Sequence, residues 1–205
     1  MVDQIAARGV SDARLLAALH EVPRHLFVVP EQQESAYEDR ALPLARGATI
    51  SQPYMVALML EALALDGSER ALEVGAGSGY AAALLARLAR EVFAIELDPE
   101  LSADAARRLS ALGVRNVTLR SGDGSGGWPE HAPFDAILVS AAAPTVPPAL
   151  EAQLAALGRL VLPVGPATGS QLLVRIARLP DGSLERRELC EVQFVPLVGV
   201  TPSSR

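Results

Sequence analysis

Between Ser51 and Gly165, short apolar runs alternate with segments whose apolar positions recur every three or four residues. RALEVG (70–75) is an apolar run closed by glycine, YAAALLARLAR (80–90) has helical spacing, and EVFAIEL (91–97) returns to strand composition. DPELSADAARRLSALG (98–113) opens with Asp98 as N-cap and Pro99 at the first helical position, then closes on Gly113. RNVTLRS (115–121) and FDAILVSA (134–141) predict two further strands, PPALEAQLAALG (147–158) a helix with Gly158 past its end, and RLVLPVG (159–165) a fifth strand. Strands alternating with helices in this way predict an α/β fold with a doubly wound, mostly parallel sheet.

The pattern changes after Gly165. QLLVRIARL (171–179), a PDG turn and SLERRELCEVQFVPLV (183–198) give strands with no helix between them, which predicts an antiparallel hairpin completing a seven-stranded sheet. Ahead of the alternating region, SDARLLAALHEV (11–22) predicts an amphipathic helix capped by Ser11 and stopped by Pro23, and the stretch from Pro23 to Ser51 is irregular. One domain is expected over 1–205: an N-terminal segment (1–52) shaping a substrate groove, a cofactor-binding core (53–165) and the hairpin (166–205).

Composition narrows the function classes. Half of the residues (50%) are hydrophobic and 20% are charged, an ordinary globular balance. The net charge of -6 argues against nucleic acid, whose phosphates call for a basic face. No stretch has the layout of a signal peptide or the length of a membrane span, so a cytoplasmic protein is expected. The single cysteine, Cys190, permits no internal disulfide, and His20, His25 and His131 have no metal-ligand spacing, so no metal is expected.

The glycines of LEVGAGSGY (72–80) carry the candidate chemistry. A dinucleotide site wants G-x-G-x-x-G, but its third position here is Tyr80; the spacing is Gly75, Gly77, Gly79, and no P-loop Lys-Ser or Lys-Thr pair follows. In such sheets ligands bind beyond the carboxyl ends of the strands. Glu96, ending the second strand, suits a ribose diol, and Asp123 in GDGSGGW (122–128) could accept from an adenine amino group. A glycine cradle and two acids without a phosphate clamp fit S-adenosylmethionine. The alternative is that the glycines only make tight turns and the acids are solvated.

VPRHLFV (22–28), AYEDRALPL (36–44), TISQPYM (49–55), LEVGAGSGY, GDGSGGW, PFDAILVSAAAP (133–144), GRLVLPVG (158–165) and FVPLVG (194–199) together resemble the protein-L-isoaspartate O-methyltransferase family. The resemblance implies a Rossmann-like class I fold and methyl transfer from S-adenosylmethionine to the α-carboxylate of isoaspartyl residues, yielding S-adenosyl-L-homocysteine and a succinimide-forming ester. It implies cofactor contacts at Thr49, Ile50, Ser51, Glu73, Gly75, Gly77, Ser78, Gly79, Glu96, Leu97, Asp123 and Gly124. Substrate contacts are implied at Ser51, Gln52, Pro53, Tyr54 and Val198, with Ser51 as the catalytic residue. Isoaspartyl proteins and peptides, in flexible segments, are the implied partners of a monomer. The chain departs from the family pattern at Gln193, where many members carry arginine, and fills the variable pair of the GDG loop with Ser125 and Gly126.

From the residues themselves, Ser51 at the entrance of a helix with Pro53 in its first turn is either an N-cap or part of an anion clamp that also uses free helix N–H groups. A carboxylate is a competent nucleophile at neutral pH, so alignment and water exclusion suffice without a strong base. Two rival readings are a carboxyl methyltransferase for another acceptor, such as aspartate in a modified peptide or a small-molecule carboxylate, and a noncatalytic cofactor-binding protein.

Overall fold

A computed structural model describes residues 1–199. Two N-terminal helices, α1 (Val2–Ala7) and α2 (Ala13–Glu21), precede a stretch of 3-10 turns and a miniature hairpin, β1 (Leu42–Pro43) with β2 (Thr49–Ile50). Then follow α3 (Pro53–Ala62), β3 (Arg70–Val74), α4 (Tyr80–Leu88), β4 (Glu91–Glu96), α5 (Pro99–Ala111), β5 (Val117–Ser121), β6 (Phe134–Val139), α6 (Pro148–Ala152), β7 (Leu154–Val164), β8 (Gln171–Arg178) and β9 (Leu184–Val192). The seven-stranded sheet has the order β5-β4-β3-β6-β7-β8-β9. Its first five strands run parallel, and β7-β8-β9 are antiparallel.

Alternation along the strands divides the core between the two sheet faces. Ala71, Val92, Ala94, Ala136, Leu138 and Val161 pack with the N-terminal helices, α3 and α4. Leu72, Phe93, Ile95, Ile137, Leu160 and Val174 pack on the opposite face with Trp128 and Phe134. Trp128 sits edge-on to Phe93, with His131 stacked on the same ring 4.3 Å away, so both are packing residues beneath the GDG loop.

Several boundaries differ from the sequence expectation. Asp98 caps α5, accepting from the Glu100 and Leu101 N–H groups, as expected. The cap of α2, however, is Asp12, which accepts from Arg14 and Leu15; its shorter reach to the first-turn donors displaces Ser11, whose own N–H donates to Glu61. The helix expected over 147–158 ends at Ala152, because Leu154 onward pairs with β6. The last strand ends at Val192, leaving FVPLVG as an extended segment that crosses the sheet's carboxyl end, with Pro196 bridged to Ala142. Edge strand β9 is largely exposed and carries Glu185, Arg186, Arg187 and Glu188 in succession. Among the described residues, no helix is long and apolar enough to cross a membrane.

Candidate active site

The strand order reverses at β3, whose neighbours are β4 and β6, and a ligand cleft is expected at that crevice. Gly75, Gly77 and Gly79 have φ of 84°, 53° and 87°, left-handed values that side-chain-bearing residues rarely adopt. Glu96 fastens the turn, its two carboxylate oxygens accepting from the N–H groups of Gly77 (2.7 Å) and Asp98 (3.0 Å). Each oxygen retains a second lone pair for a diol.

Three hollows meet at this crevice. One of about 170 Å³ is lined by Gly75, Gly77, Glu96, Leu97 and Gly124. A small one of about 50 Å³ lies against Ile50, Glu73, Ser78 and Tyr80. A groove of about 610 Å³ runs past Ser51, Gln52, Tyr54, Gln193 and Phe194. Thr49 and Ser140 line all three, and the two smaller hollows, against the glycine turn, are the candidate cofactor side. Gly124 floors it: a Cβ there would stand 2.6 Å from Val74 Cγ1.

Glu73 is the electrostatic centre. It is buried, its Oε2 has no hydrogen-bond partner among the described residues, and its Oε1 lies 3.5 Å from the Ser140 hydroxyl. Burial first, and the nearby Glu96 charge second, push its carboxyl well above the ordinary carboxylate range. A buried acid without a counter-charge, opening on a small hollow, fits a ligand that brings an ammonium group. The residues present therefore suit the amino acid end of S-adenosylmethionine.

The substrate side is made from irregular chain fixed by single polar anchors. Arg24, fully buried, donates from Nε to the Ala36 carbonyl and from a terminal nitrogen to the Ser51 carbonyl, both at 2.7 Å. Its guanidinium also lies over the Tyr80 ring, 4.9 Å from the centroid, and Tyr80 opens the helix after the glycine turn. Burial pushes the Tyr80 phenol up to about 12. Gln171, at the start of β8, brackets Phe194, accepting its N–H at 2.7 Å and donating to its carbonyl at 3.3 Å. The β1–β2 hairpin is tied across the cofactor side by Arg46, which pairs with Asp98 and with Glu100 (2.8 Å) at the start of α5.

Against the sequence expectations, Thr49, Ile50, Ser51, Glu73, Gly75, Gly77, Ser78, Glu96, Leu97 and Gly124 come together around the hollows, with Gln52 and Tyr54 along the groove. Others are placed differently. Gly79 lines none of these three hollows; a Cβ would meet Ala105 at 3.1 Å, so its smallness serves the packing of α4 on α5. Asp123 accepts from the Ser125 N–H at 2.8 Å through one oxygen, and its carboxylate lies against Gly199, beside Val198 of the cleft. Pro53 is buried as the first residue of α3, and Val198 borders the cofactor side instead of the groove. Ser51 is not the helix cap: Gln52 holds that position and makes no side-chain bond. Of the first-turn donors, Pro53 has no N–H and the Tyr54 N–H donates to Asp39 (2.9 Å), which leaves Met55, a residue lining the groove, as the one that could present an N–H to an anion. Gln193 does border the groove, whereas Ser125 and Gly126 face a different hollow.

Sequence reasoning missed Ser140, Arg24 and Gln171. Ser140 was detectable as the residue ending the strand beside the switch point. Nothing local marked the other two, since their partners are backbone groups elsewhere in the chain.

Sheet order, glycine turn and cleft position define a class I methyltransferase. A family model described as protein-L-isoaspartate(D-aspartate) O-methyltransferase matches residues 1–201, and the chain belongs to that family. Its chemistry is S-adenosylmethionine-dependent methylation of isoaspartyl residues. A protein-L-isoaspartate O-methyltransferase of Roseiflexus castenholzii is 54% identical over 97% of this chain and 90% of its own. One from Anaeromyxobacter sp. is 56% identical over 96% and 93%. A solved protein-L-isoaspartate O-methyltransferase superposes with a TM-score of 0.85 at 30% identity, over 97% of this chain and 66% of that one. A candidate family member from Plasmodium falciparum, solved with S-adenosyl-L-homocysteine, gives 0.81 at 26% identity over 96% and 95%.

Proposed function

We propose that the α-carboxylate of an isoaspartyl residue is held in the groove by Ser51, with Thr49 and Ser140 at the point of methyl transfer and Glu73 anchoring the cofactor. The observation that carries this reading is the convergence of all three hollows on Thr49 and Ser140, with Glu73 in the small hollow and Ser51 lining both that hollow and the groove. When bound, S-adenosylmethionine supplies an electrophilic methyl on a sulfonium centre. Glu73 would take its ammonium group, Glu96 the ribose hydroxyls, and Leu97 and Gly124 the adenine face. Asp123 belongs to this adenine end through the loop it holds together. Gly75, Gly77 and Ser78 supply the turn that lets ligand and backbone approach closely.

No general base is required of the chain, because the attacking carboxylate is already ionised at neutral pH. The task is orientation: a hydroxyl at Ser51 and fixed backbone around it restrict the carboxylate to a productive pose. Arg24 fixes that backbone from below through the Ser51 carbonyl. Val195, shared by groove and cofactor side, closes the junction against water. A groove lined by chain segments on both sides suits isoaspartate in a flexible segment, whose flanking residues can extend along it. A single-domain monomer acting in the cytoplasm completes the reading.

The decisive experiment is methyl transfer from labelled S-adenosylmethionine to matched isoaspartyl and aspartyl peptides. Base-labile label on the isoaspartyl peptide alone is expected. Ser51→Ala should lower kcat/KM about 100-fold, the scale for losing one oriented donor at a reacting oxygen. Label on the aspartyl peptide would favour the other-acceptor reading, and an unimpaired variant would remove Ser51 from the clamp.

A further inference from the structure

Beside the groove lies a second hollow of about 410 Å³, walled by Met1, Ile5 and Ala7 of the first helix together with Asp39. Arg8 and Tyr54 line both spaces and form the sill between them. The charged side chains of this wall are already satisfied. Arg8 pairs with Asp39 and lies over the Tyr54 ring, 3.4 Å from its centroid. The other oxygen of Asp39 accepts the Tyr54 N–H at 2.9 Å. What the hollow offers a ligand is therefore the aliphatic surface of Met1, Ile5 and Ala7, with Gln4 beside it, which favours an apolar group over a charged one. Its position matters equally. Tyr54 stands three residues beyond Ser51, on the first turn of α3. The groove that runs past Ser51 thus adjoins the hollow across Arg8 and Tyr54.

We propose that this hollow is a specificity subsite, receiving an apolar side chain from a residue that flanks the isoaspartate along the groove. The inference rests on the reading of the groove as the substrate site. It assigns to α1, which contributes nothing to the cofactor side, the task of grading one damaged segment against another. The paired charges at the sill hold the two spaces apart, so the isoaspartyl carboxylate and the apolar neighbour are sorted into environments of opposite character.

The test is a peptide set with isoaspartate at one fixed position and a single flanking residue, on either side, varied among leucine, serine and lysine. Wild-type enzyme should show one flanking position where leucine exceeds serine in kcat/KM by about tenfold, the scale for placing an aliphatic group in a partly enclosed apolar site. Filling the hollow with Ala7→Trp should collapse that leucine-to-serine ratio toward one. A charge at its rim, Gln4→Glu, should move the preference from leucine toward lysine at the same position and at no other. A flat wild-type profile, or a leucine preference that both variants leave intact, overturns the proposal. Failure of the wild type to methylate any isoaspartyl peptide would overturn the groove reading, and this one with it.

Discussion

The two sides of the cleft are built on different principles. The cofactor side is made by the ends of β3, β4 and β6, where the hydrogen-bonded ladder fixes each residue before any side chain acts. The substrate side is made by the 23–52 stretch and the segment after Val192, which have only the short β1–β2 pairing and the Ala142–Pro196 bridge and borrow rigidity from Arg24, Asp39 and Gln171. Position on the first side is a property of the sheet; on the second it depends on a handful of long-range bonds. A sheet-end site tolerates changes far away and fails by local chemistry. An anchored-loop site fails when a distant anchor is lost.

The sharpest probe of this contrast is Glu73→Gln. Removing one partner of a buried charge pair should weaken cofactor binding roughly 30-fold or more, read by calorimetry with S-adenosyl-L-homocysteine. The same change should stabilise the ligand-free protein at alkaline pH. Because burial raises the Glu73 carboxyl, the ligand-free fold above the ordinary carboxylate range keeps a proton that the unfolded chain has released. Stability therefore falls as pH rises, until the folded carboxyl ionises. Melting temperatures from about pH 5 to about pH 8 should decline in the wild type and flatten in the variant. An unchanged slope would mean that Glu73 is not the titrating group.

Next in size is Arg24→Met, which leaves the Ala36 and Ser51 carbonyls unpaired. It should cost about 2–4 kcal/mol of folding stability by chemical denaturation, and at a temperature where the variant is folded, kcat should fall more than cofactor affinity does. Equal losses in both would erase the distinction between the two sides. The smallest effect belongs to Arg46→Ala. Its ion pairs with Asp98 and Glu100 are solvent-exposed, so cofactor dissociation should quicken by less than about threefold and the difference should vanish in high salt. A large, salt-insensitive effect would show that the hairpin is part of the cofactor seat itself.

The same division explains what the sequence disclosed. Apolar periodicity and glycine spacing are local signals, and they located the sheet, its hairpin and the turn that Glu96 fastens. They also led to errors where pairing with a neighbour overrides local pattern, as at Leu154, which leaves a helical run to join β6. Asp123 was read from its place after a strand, but only the fold reveals that Gly199 lies over it. Arg24 stood in plain view within VPRHLFV without any sign that its partners were the Ala36 and Ser51 carbonyls. Ser51 was found through the resemblance, but the reading of it as the helix cap fails, because Gln52 takes that position and Asp39 reaches the helix start from an unrelated stretch.

The charged run along β9 has a consequence for an enzyme whose clients are damaged chains. A sheet edge exposes unpaired N–H and C=O groups to which any loosened segment could add as a further strand. Here Glu185 to Glu188 offers an incoming strand alternating charges of both signs, which only a complementary sequence would match in register. Indiscriminate zippering is thereby discouraged. The border of the sheet acts as a guard against co-aggregation with the material the enzyme works on.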